Sequence, residues 1–338
     1  MIVVGAGNMG QAWLRTLAAD GRWQIAALVD VSAGALAAAG ETHGVPPELR
    51  FSSVEEAMHQ VIADGMLVAS LPESHSEAIL LAVRHGLPVF TEKPLTATLA
   101  EAVAVLAESR DHNGIVMVGQ GRRWCSHIVA LREAVASGVI GEPGYITCQF
   151  RIPFRFGGWR EQMPEVLLED LAIHHFDTLR FISGRNGERV FAHSFRPAWS
   201  WFGGNPCANV DLLLEGGLPV HYFGSWVARG PRSSWDGELT VVGSDGALLL
   251  REDETLWLYR GENETPEPFP FQPLEPVGLA LGLERFTQAV LGTAPPAPDI
   301  EDNMHSLALT SAAVASARSG QPVHVAEHLR EAGYSQGS

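Results

Sequence analysis

Short, almost wholly apolar runs alternate with longer segments whose apolar residues recur every three to four positions through the first 140 or so residues. The runs are Ile2–Val4, Trp23–Val29, Gly65–Ser70, Pro88–Thr91 and Ile115–Gly119. Between them, helices are predicted from Gln11, over Val31–Ala39, Ser53–Val61, Ser74–His85 and Leu95–Asp111, with a further one over Ser126–Ser137. Continuous apolar strands separated by amphipathic helices predict a parallel sheet covered on both faces. The pattern changes near Gly141-Glu142-Pro143-Gly144. Beyond it, Tyr145–Arg155, Arg189–Phe195, Ala208–Leu214, Val220–Val227 and Glu238–Val242 read as strands, several with alternating polar and apolar residues and turn signals between them. Gly246–Leu248 and Thr255–Tyr259 extend the series, and Gly278–Leu291 and Asn303–Ser319 read as terminal helices. The expected architecture is α/β: an N-terminal doubly wound parallel sheet over residues 1–122, then an α+β domain with a large, mostly antiparallel open sheet over residues 123–338.

The first turn of this pattern carries chemistry. Gly5-Ala6-Gly7-Asn8-Met9-Gly10 is a G-x-G-x-x-G run between a strand and a helix, and the second strand closes on Asp30. A strand, glycine turn, helix, strand and acid in this order hold a dinucleotide. Gly5 permits the tight turn, Gly7 admits a pyrophosphate to the backbone, Gly10 lets helix and strand pack, and the helix N-terminus offers its amides to phosphate. Asp30 is placed to accept hydrogen bonds from the adenosine ribose and to repel a 2′-phosphate, and no Arg or Lys follows among residues 31–34. NAD is therefore the expected cofactor, with Ser32 the one residue there that would accommodate NADP.

Charge and composition remove several classes. A net charge of −16 repels nucleic acid. No apolar stretch reaches the roughly 20 residues that span a bilayer, and the N-terminus has no basic leader, so a cytoplasmic protein is expected. Cys125, Cys148 and Cys207 lack C-x-x-C spacing, so neither a disulfide framework nor a metal site is expected.

Two further places draw attention. Glu92-Lys93-Pro94 follows a strand of the parallel sheet, at the edge where open α/β folds bind ligands. There Lys93 would donate to a substrate hydroxyl, Glu92 would fix the lysine, and Pro94 would stiffen the turn, with a cis bond as one option. The second place is Leu168–Asp177. On a regular helix Asp170, His174 and Asp177 form one titratable stripe. An imidazole accepts a proton when an alcohol is oxidised, and a carboxylate one turn away steadies its charged form. A surface Asp/His pair is the plainer alternative; adjacent His174 and His175 diverge by about 100° and do not chelate one ion easily.

These motifs, in this order, resemble the glucose–fructose oxidoreductase/inositol dehydrogenase family (Gfo/Idh/MocA). The resemblance covers most of the chain and rests on the glycine run, Leu71-Pro72 with His75, Glu92-Lys93-Pro94, Gly119–Trp124, Asp170-Leu171-Ala172-Ile173-His174 with Asp177, and Glu301-Asp302-Asn303. It implies NAD(P)-dependent oxidation or reduction at a carbon of a sugar, sugar derivative, glycoside or cyclitol. By position, Lys93, Asp170 and His174 take the catalytic places. Gly5, Gly7, Asn8, Met9, Gly10, Asp30, Ser70, Leu71, Pro72, His75, Glu92 and Lys93 take the cofactor-binding ones. Arg123, Trp159 and Arg160 join Lys93, Asp170 and His174 as expected substrate contacts. Where the family often has glycines before its aspartate, this chain has Pro164–Glu169, with two acids, Glu165 and Glu169. The tryptophans 199, 201, 226 and 235 stack on a sugar face or fill the second sheet's packed face, and a homodimer or homotetramer through that sheet is expected. Two other functions within the family stay open: a dinucleotide-binding regulator without catalysis, and glycoside hydrolysis through transient oxidation.

Overall fold

The computed structural model describes residues 1–335. In chain order the first elements are β1 (Ile2–Val4), α1 (Asn8–Asp20), β2 (Ala27–Val29), α2 (Ala33–His43), β3 (Arg50–Phe51), α3 (Val54–Gln60) and β4 (Met66–Val68). They are followed by α4 (His75–Arg84), β5 (Val89–Glu92), α5 (Leu99–Asp111), β6 (Val116–Gly119) and α6 (Ser126–Ala136). Then come β7 (Pro143–Arg151), a π-helical turn (Leu167–Ala172), α7 (Ile173–Ser183), β8 (Gly187–Phe195), β9 (Cys207–Leu214), β10 (Leu218–Ser225) and β11 (Glu238–Gly243). The last are β12 (Gly246–Leu250), β13 (Leu256–Arg260), β14 (Glu267–Pro268), α8 (Gly278–Val290), α9 (Ile300–Ser319), β15 (Val323–His324) and α10 (Val325–Glu331). No described helix is long and apolar enough to cross a membrane.

The described residues divide into two compact units, residues 1–121 with 275–304, and residues 122–274 with 305–335. The sequence pattern puts 275–304 in the second domain; in the structure this segment packs with the first. The reason is tertiary. Phe286 on α8 is fully buried against Phe90 of β5, and its ring stacks on Trp23 at 5.9 Å. The Trp23 indole also donates to Thr287 Oγ1 at 2.8 Å. That arm explains why the expected strand Trp23–Val29 narrows to Ala27–Val29: its front half serves α8 and not the ladder.

The first unit is a six-stranded parallel sheet in the order β3-β2-β1-β4-β5-β6. Its central strands are buried on both faces, as their unbroken apolar sequences require. The order reverses direction between β1 and β4, so the crevice for a ligand opens at the C-terminal ends of these strands. α5 begins at Leu99 and not at Leu95, because Thr98 and Glu101 form a reciprocal capping box there.

The second unit is a nine-stranded sheet, β14-β13-β12-β11-β7-β10-β9-β8-β15, antiparallel throughout except for β7 with β10. Alternation along the strands makes one face apolar. Ile146, Cys148 and Phe150 of β7, Val220 and Tyr222 of β10, and Leu248 and Leu250 of β12 are each at most 3 % exposed. The π turn packs on β9 and β10, and α6 packs on β12 and α7.

Candidate functional site

In the first unit the glycine turn is closed where packing demands it and open where a ligand must come. Gly5 adopts φ +103°, and a Cβ there would sit 2.6 Å from the Ala69 and Ser70 backbone. A Cβ on Gly10 would lie 1.8 Å from the Gly5 carbonyl oxygen, so strand and helix touch at this point. At Gly7 nothing lies within 4 Å. Gly7 is the N-cap of α1, no side chain caps it, and the first turn carries no acid. The amides of Asn8, Met9 and Gly10 therefore present a positive helix end over open space. Asp30 stands against the same turn: Oδ2 accepts from Ala6 N at 2.7 Å and Oδ1 from Ser32 N at 2.8 Å. This fixes the carboxylate at the end of β2 with lone pairs to spare for hydroxyl donors.

The loops after β4 and β5 meet through His75, which is 1 % exposed. Its Nδ1 lies 2.9 Å from the Pro94 carbonyl and its Nε2 3.2 Å from the Ser70 carbonyl, while burial lowers its pKa. A backbone carbonyl thus faces each ring nitrogen, and the one N–H of the neutral ring donates to one of the two. His75, expected at the cofactor, lies between the Ser70-Leu71-Pro72 loop and the Lys93-Pro94 turn. Leu71 is 59 % exposed, and Ser70 Oγ shares a 2.7 Å hydrogen bond with Ser74 Oγ. Glu92 accepts from the Trp13 indole at 2.8 Å and from Lys93 N at 3.3 Å. Burial pushes its carboxyl above the usual range against the pull of these partners. Glu92 so holds the lysine's backbone, and the Lys93–Pro94 peptide is cis.

In the second unit the expected regular helix is replaced by the π turn Leu167–Ala172 running into α7. The wider turn rotates Asp170 relative to His174 and Asp177, which keep α-helical spacing within α7, and the predicted stripe breaks. Asp177 is wholly buried: Arg123 grips it with Nε at 2.8 Å and Nη2 at 2.6 Å, and Ser306 donates at 2.6 Å. Arg180 Nη1 is 3.8 Å away. Arg123, expected to contact substrate, spends its guanidinium on this ion pair, so the pairing supports a structural part for it. His175 is likewise structural, with Nδ1 3.0 Å from Tyr222 OH and Nε2 3.0 Å from the Trp235 carbonyl. Burial pushes its pKa down to about 4, so the ring is neutral. His174, His175 and Asp177 do not converge on one point.

Asp170 and His174 stay partly exposed, one on the π turn and one on the first turn of α7. Arg160 Nε stands 3.5 Å from Asp170 Oδ2, and its guanidinium lies 4.9 Å from the Trp159 ring centre. Three residues expected at the substrate, Trp159, Arg160 and Asp170, therefore form one group. Beside them lie partners the sequence did not reveal. Asn205 Nδ2 donates to Glu165 Oε1 and to Ser194 Oγ, both at 3.0 Å, and Arg318 is 3.3 Å from Glu169. Burial raises the Glu169 pKa, opposed by Arg318 and reinforced by Glu165. Among the tryptophans, Trp226 is buried in an aromatic cluster with Phe150, Phe156 and Trp235, while Trp199 and Trp235 are 54 % and 40 % exposed.

Comparison with known proteins agrees with this anatomy. Residues 1–120 match the family model described as an oxidoreductase family, NAD-binding Rossmann fold, and residues 128–249 match that of the GFO/IDH/MocA C-terminal domain. The chain is 25 % identical to 1,5-anhydro-D-fructose reductase of Ensifer adhaerens, over 96 % of this chain and 97 % of that one. It is 26 % identical to inositol 2-dehydrogenase of Rhizobium meliloti, over 96 % and 98 %. An oxidoreductase from Agrobacterium radiobacter, solved with NAD+, L-tartaric acid and magnesium, has the same fold, with a TM-score of 0.87 at 22 % identity over 96 % of this chain and 98 % of that one.

Proposed function

Since the chain belongs to the Gfo/Idh/MocA oxidoreductase family, we propose that it is an NAD-dependent dehydrogenase acting on a secondary alcohol of a sugar, sugar derivative or cyclitol. The observation that carries the reading is the glycine turn, blocked to any side chain at Gly5 and Gly10 and open at Gly7 under an uncapped helix end. The residues fit the dinucleotide: α1 offers amides to the pyrophosphate, and Asp30 offers a carboxylate to the ribose hydroxyls while opposing a 2′-phosphate. Bound NAD supplies the hydride acceptor. In our reading Lys93 donates a hydrogen bond to the reacting oxygen, and Glu92 and Pro94 hold its backbone for that task. His174 accepts the hydroxyl proton, and Asp170, steadied by Arg160, supports the charged imidazole. In the reverse direction His174 returns the proton to a ketone oxygen. Trp159 and Arg160 line the substrate's side of Asp170.

The names of the relatives direct the substrate class, since one is a sugar reductase and another a cyclitol dehydrogenase. A screen of free sugars, sugar acids, inositols and glycosides with NAD and with NADP, read by absorbance of the reduced cofactor, tests it. Net reduction of NAD by a sugar or inositol is expected. Cleavage of a glycoside with no net cofactor reduction would replace the proposal by the hydrolytic one. Replacing His174 with Ala should abolish turnover and leave NAD binding unchanged; full activity in that variant removes His174 from the mechanism. We also carry forward association through the second sheet, whose outward positions include Tyr145, Phe191, Phe223 and Trp257. Light scattering showing only a 36.4 kDa monomer would refute it.

A further inference from the structure

Away from the residues assigned above, the second unit gathers a sulfur, a nitrogen and an oxygen donor from distant stretches of chain. Cys125, His127 and Asp236 each present a ligand atom within 4.8 Å of the other two. Cys125 is the N-cap of α6, His127 lies in its first turn, and Asp236 stands two residues before β11. His127 is 6 % and Asp236 1 % exposed. His127 Nε2 lies 2.8 Å from Asp236 Oδ2. The other oxygen, Asp236 Oδ1, has the Arg122 Nη1 3.2 Å away but accepts no hydrogen bond, which is an expensive state for a buried carboxylate. Arg122 turns its Nη2 to the Trp235 carbonyl instead, at 3.3 Å. A second carboxylate stands close: Glu254 Oε2 is 3.6 Å from His127 Nδ1, on a turn where Glu254 adopts φ +64°.

We propose that Cys125, His127 and Asp236 bind a structural zinc ion, with a water completing the tetrahedron and Glu254 facing the far nitrogen of the His127 ring. Mixed sulfur, imidazole and carboxylate donors suit a borderline-soft dication that has no geometric demand of its own. Tetrahedral bonds of about 2.0–2.3 Å place neighbouring donors roughly 3.4–3.6 Å apart. The His127–Asp236 contact opens by less than 1 Å to reach this, and the Cys125 sulfur, within 4.8 Å of both partners, closes by at most about 1.4 Å. Thiolate, Asp236 and Glu254 carry three negative charges, and Arg122 offsets one, so a dication leaves the group neutral. The ion ties the start of α6 to the entry of β11, and Glu254, on the turn between β12 and β13, stands behind the His127 ring.

The test uses the full chain, stripped with a chelator and dialysed against zinc. One zinc per chain by elemental analysis is expected, with a rise in melting temperature. Cobalt(II) in its place should give thiolate-to-metal charge-transfer absorption. Cys125→Ser should remove that absorption and weaken zinc binding by roughly 100-fold or more, beyond what loss of an outer-shell partner does. Cys207→Ser, whose thiol contacts Ser225 elsewhere in the sheet, should keep both. Asp236→Asn, which preserves shape, serves as a second variant, with circular dichroism confirming the fold, and should also lose zinc. Substoichiometric zinc in the parent chain, or a cobalt–thiolate band that survives Cys125→Ser, overturns the proposal and leaves Arg122–Asp236–His127 as an ion-pair network.

Discussion

Gly7 and Gly10 lie three residues apart in one turn, yet the structure gives a methyl group at each an opposite fate. On Gly10 it would meet the Gly5 carbonyl oxygen at 1.8 Å, whereas an ordinary contact needs roughly 3.5 Å. Backbone must retreat by about 1.5 Å or more in a turn where Gly5 is itself pressed against Ala69 and Ser70. Overpacking of this kind costs about 1–3 kcal/mol, and for a domain of this size that is a melting temperature lower by roughly 2–12 °C. On Gly7 the backbone, at φ −72° and ψ −169°, already suits alanine, and the methyl enters empty space. The fold should lose at most about 1 kcal/mol, the cap preference of glycine over alanine. That empty space is where a pyrophosphate has to lie. NAD affinity should therefore fall at least about 10-fold, or 1.4 kcal/mol. Thermal melts with and without NAD, and calorimetric titration of the cofactor, separate the two variants. Gly7→Ala binding NAD as tightly as the parent, or Gly10→Ala melting with it, would refute the reading of this turn.

Asp177→Ala strands the buried Arg123 and Arg180 guanidinium groups and should cost about 3–5 kcal/mol in denaturant unfolding. An unfolding midpoint equal to the parent's would show that the pair is not structural. Glu92 has a folded-state pKa above its unfolded one, so its contribution to stability is present below the ordinary glutamate value and is lost as pH rises through the raised value. Glu92→Gln keeps an acceptor for the Trp13 indole without the charge, so its stability should gain on the parent's as pH rises to neutrality. Parallel melting curves for the two across that range would contradict this.

The two-unit architecture was legible because its signals are local. Glycine spacing, apolar runs of three to five residues and a change from helical to alternating pattern each report on neighbours in sequence. The roles of Gly5, Gly7 and Gly10 follow from the same short window. What was not legible depends on partners far along the chain. The apolar run Val166–Leu168 with Leu171 and Ala172 fits a π turn as well as an α-helix, so nothing in its pattern announces that Asp170 sits on a wider turn than the helix carrying His174 and Asp177. Arg123 finds Asp177 across 54 residues, Arg318 finds Glu169 across 149, and His127 finds Asp236 across 109. The ring contacts of α8 with Trp23 and Phe90 are equally remote, and for this reason its membership in the first unit is not visible in the local pattern.

That membership governs how the polypeptide is made. When residue 121 leaves the ribosome, all six parallel strands are present, but Phe286, the aromatic wedge for Trp23 and Phe90, has yet to be synthesised. At about 5–20 residues per second, the remaining stretch to residue 304 takes roughly 10–40 s. Throughout that interval the nascent first unit shows bare aromatic surface to its surroundings, worth about 1.5–3 kcal/mol for Phe286 alone once covered. A fragment cut at residue 121 would carry that exposed surface permanently and would tend to clump, whereas one in which 275–304 is spliced back on has the means to close.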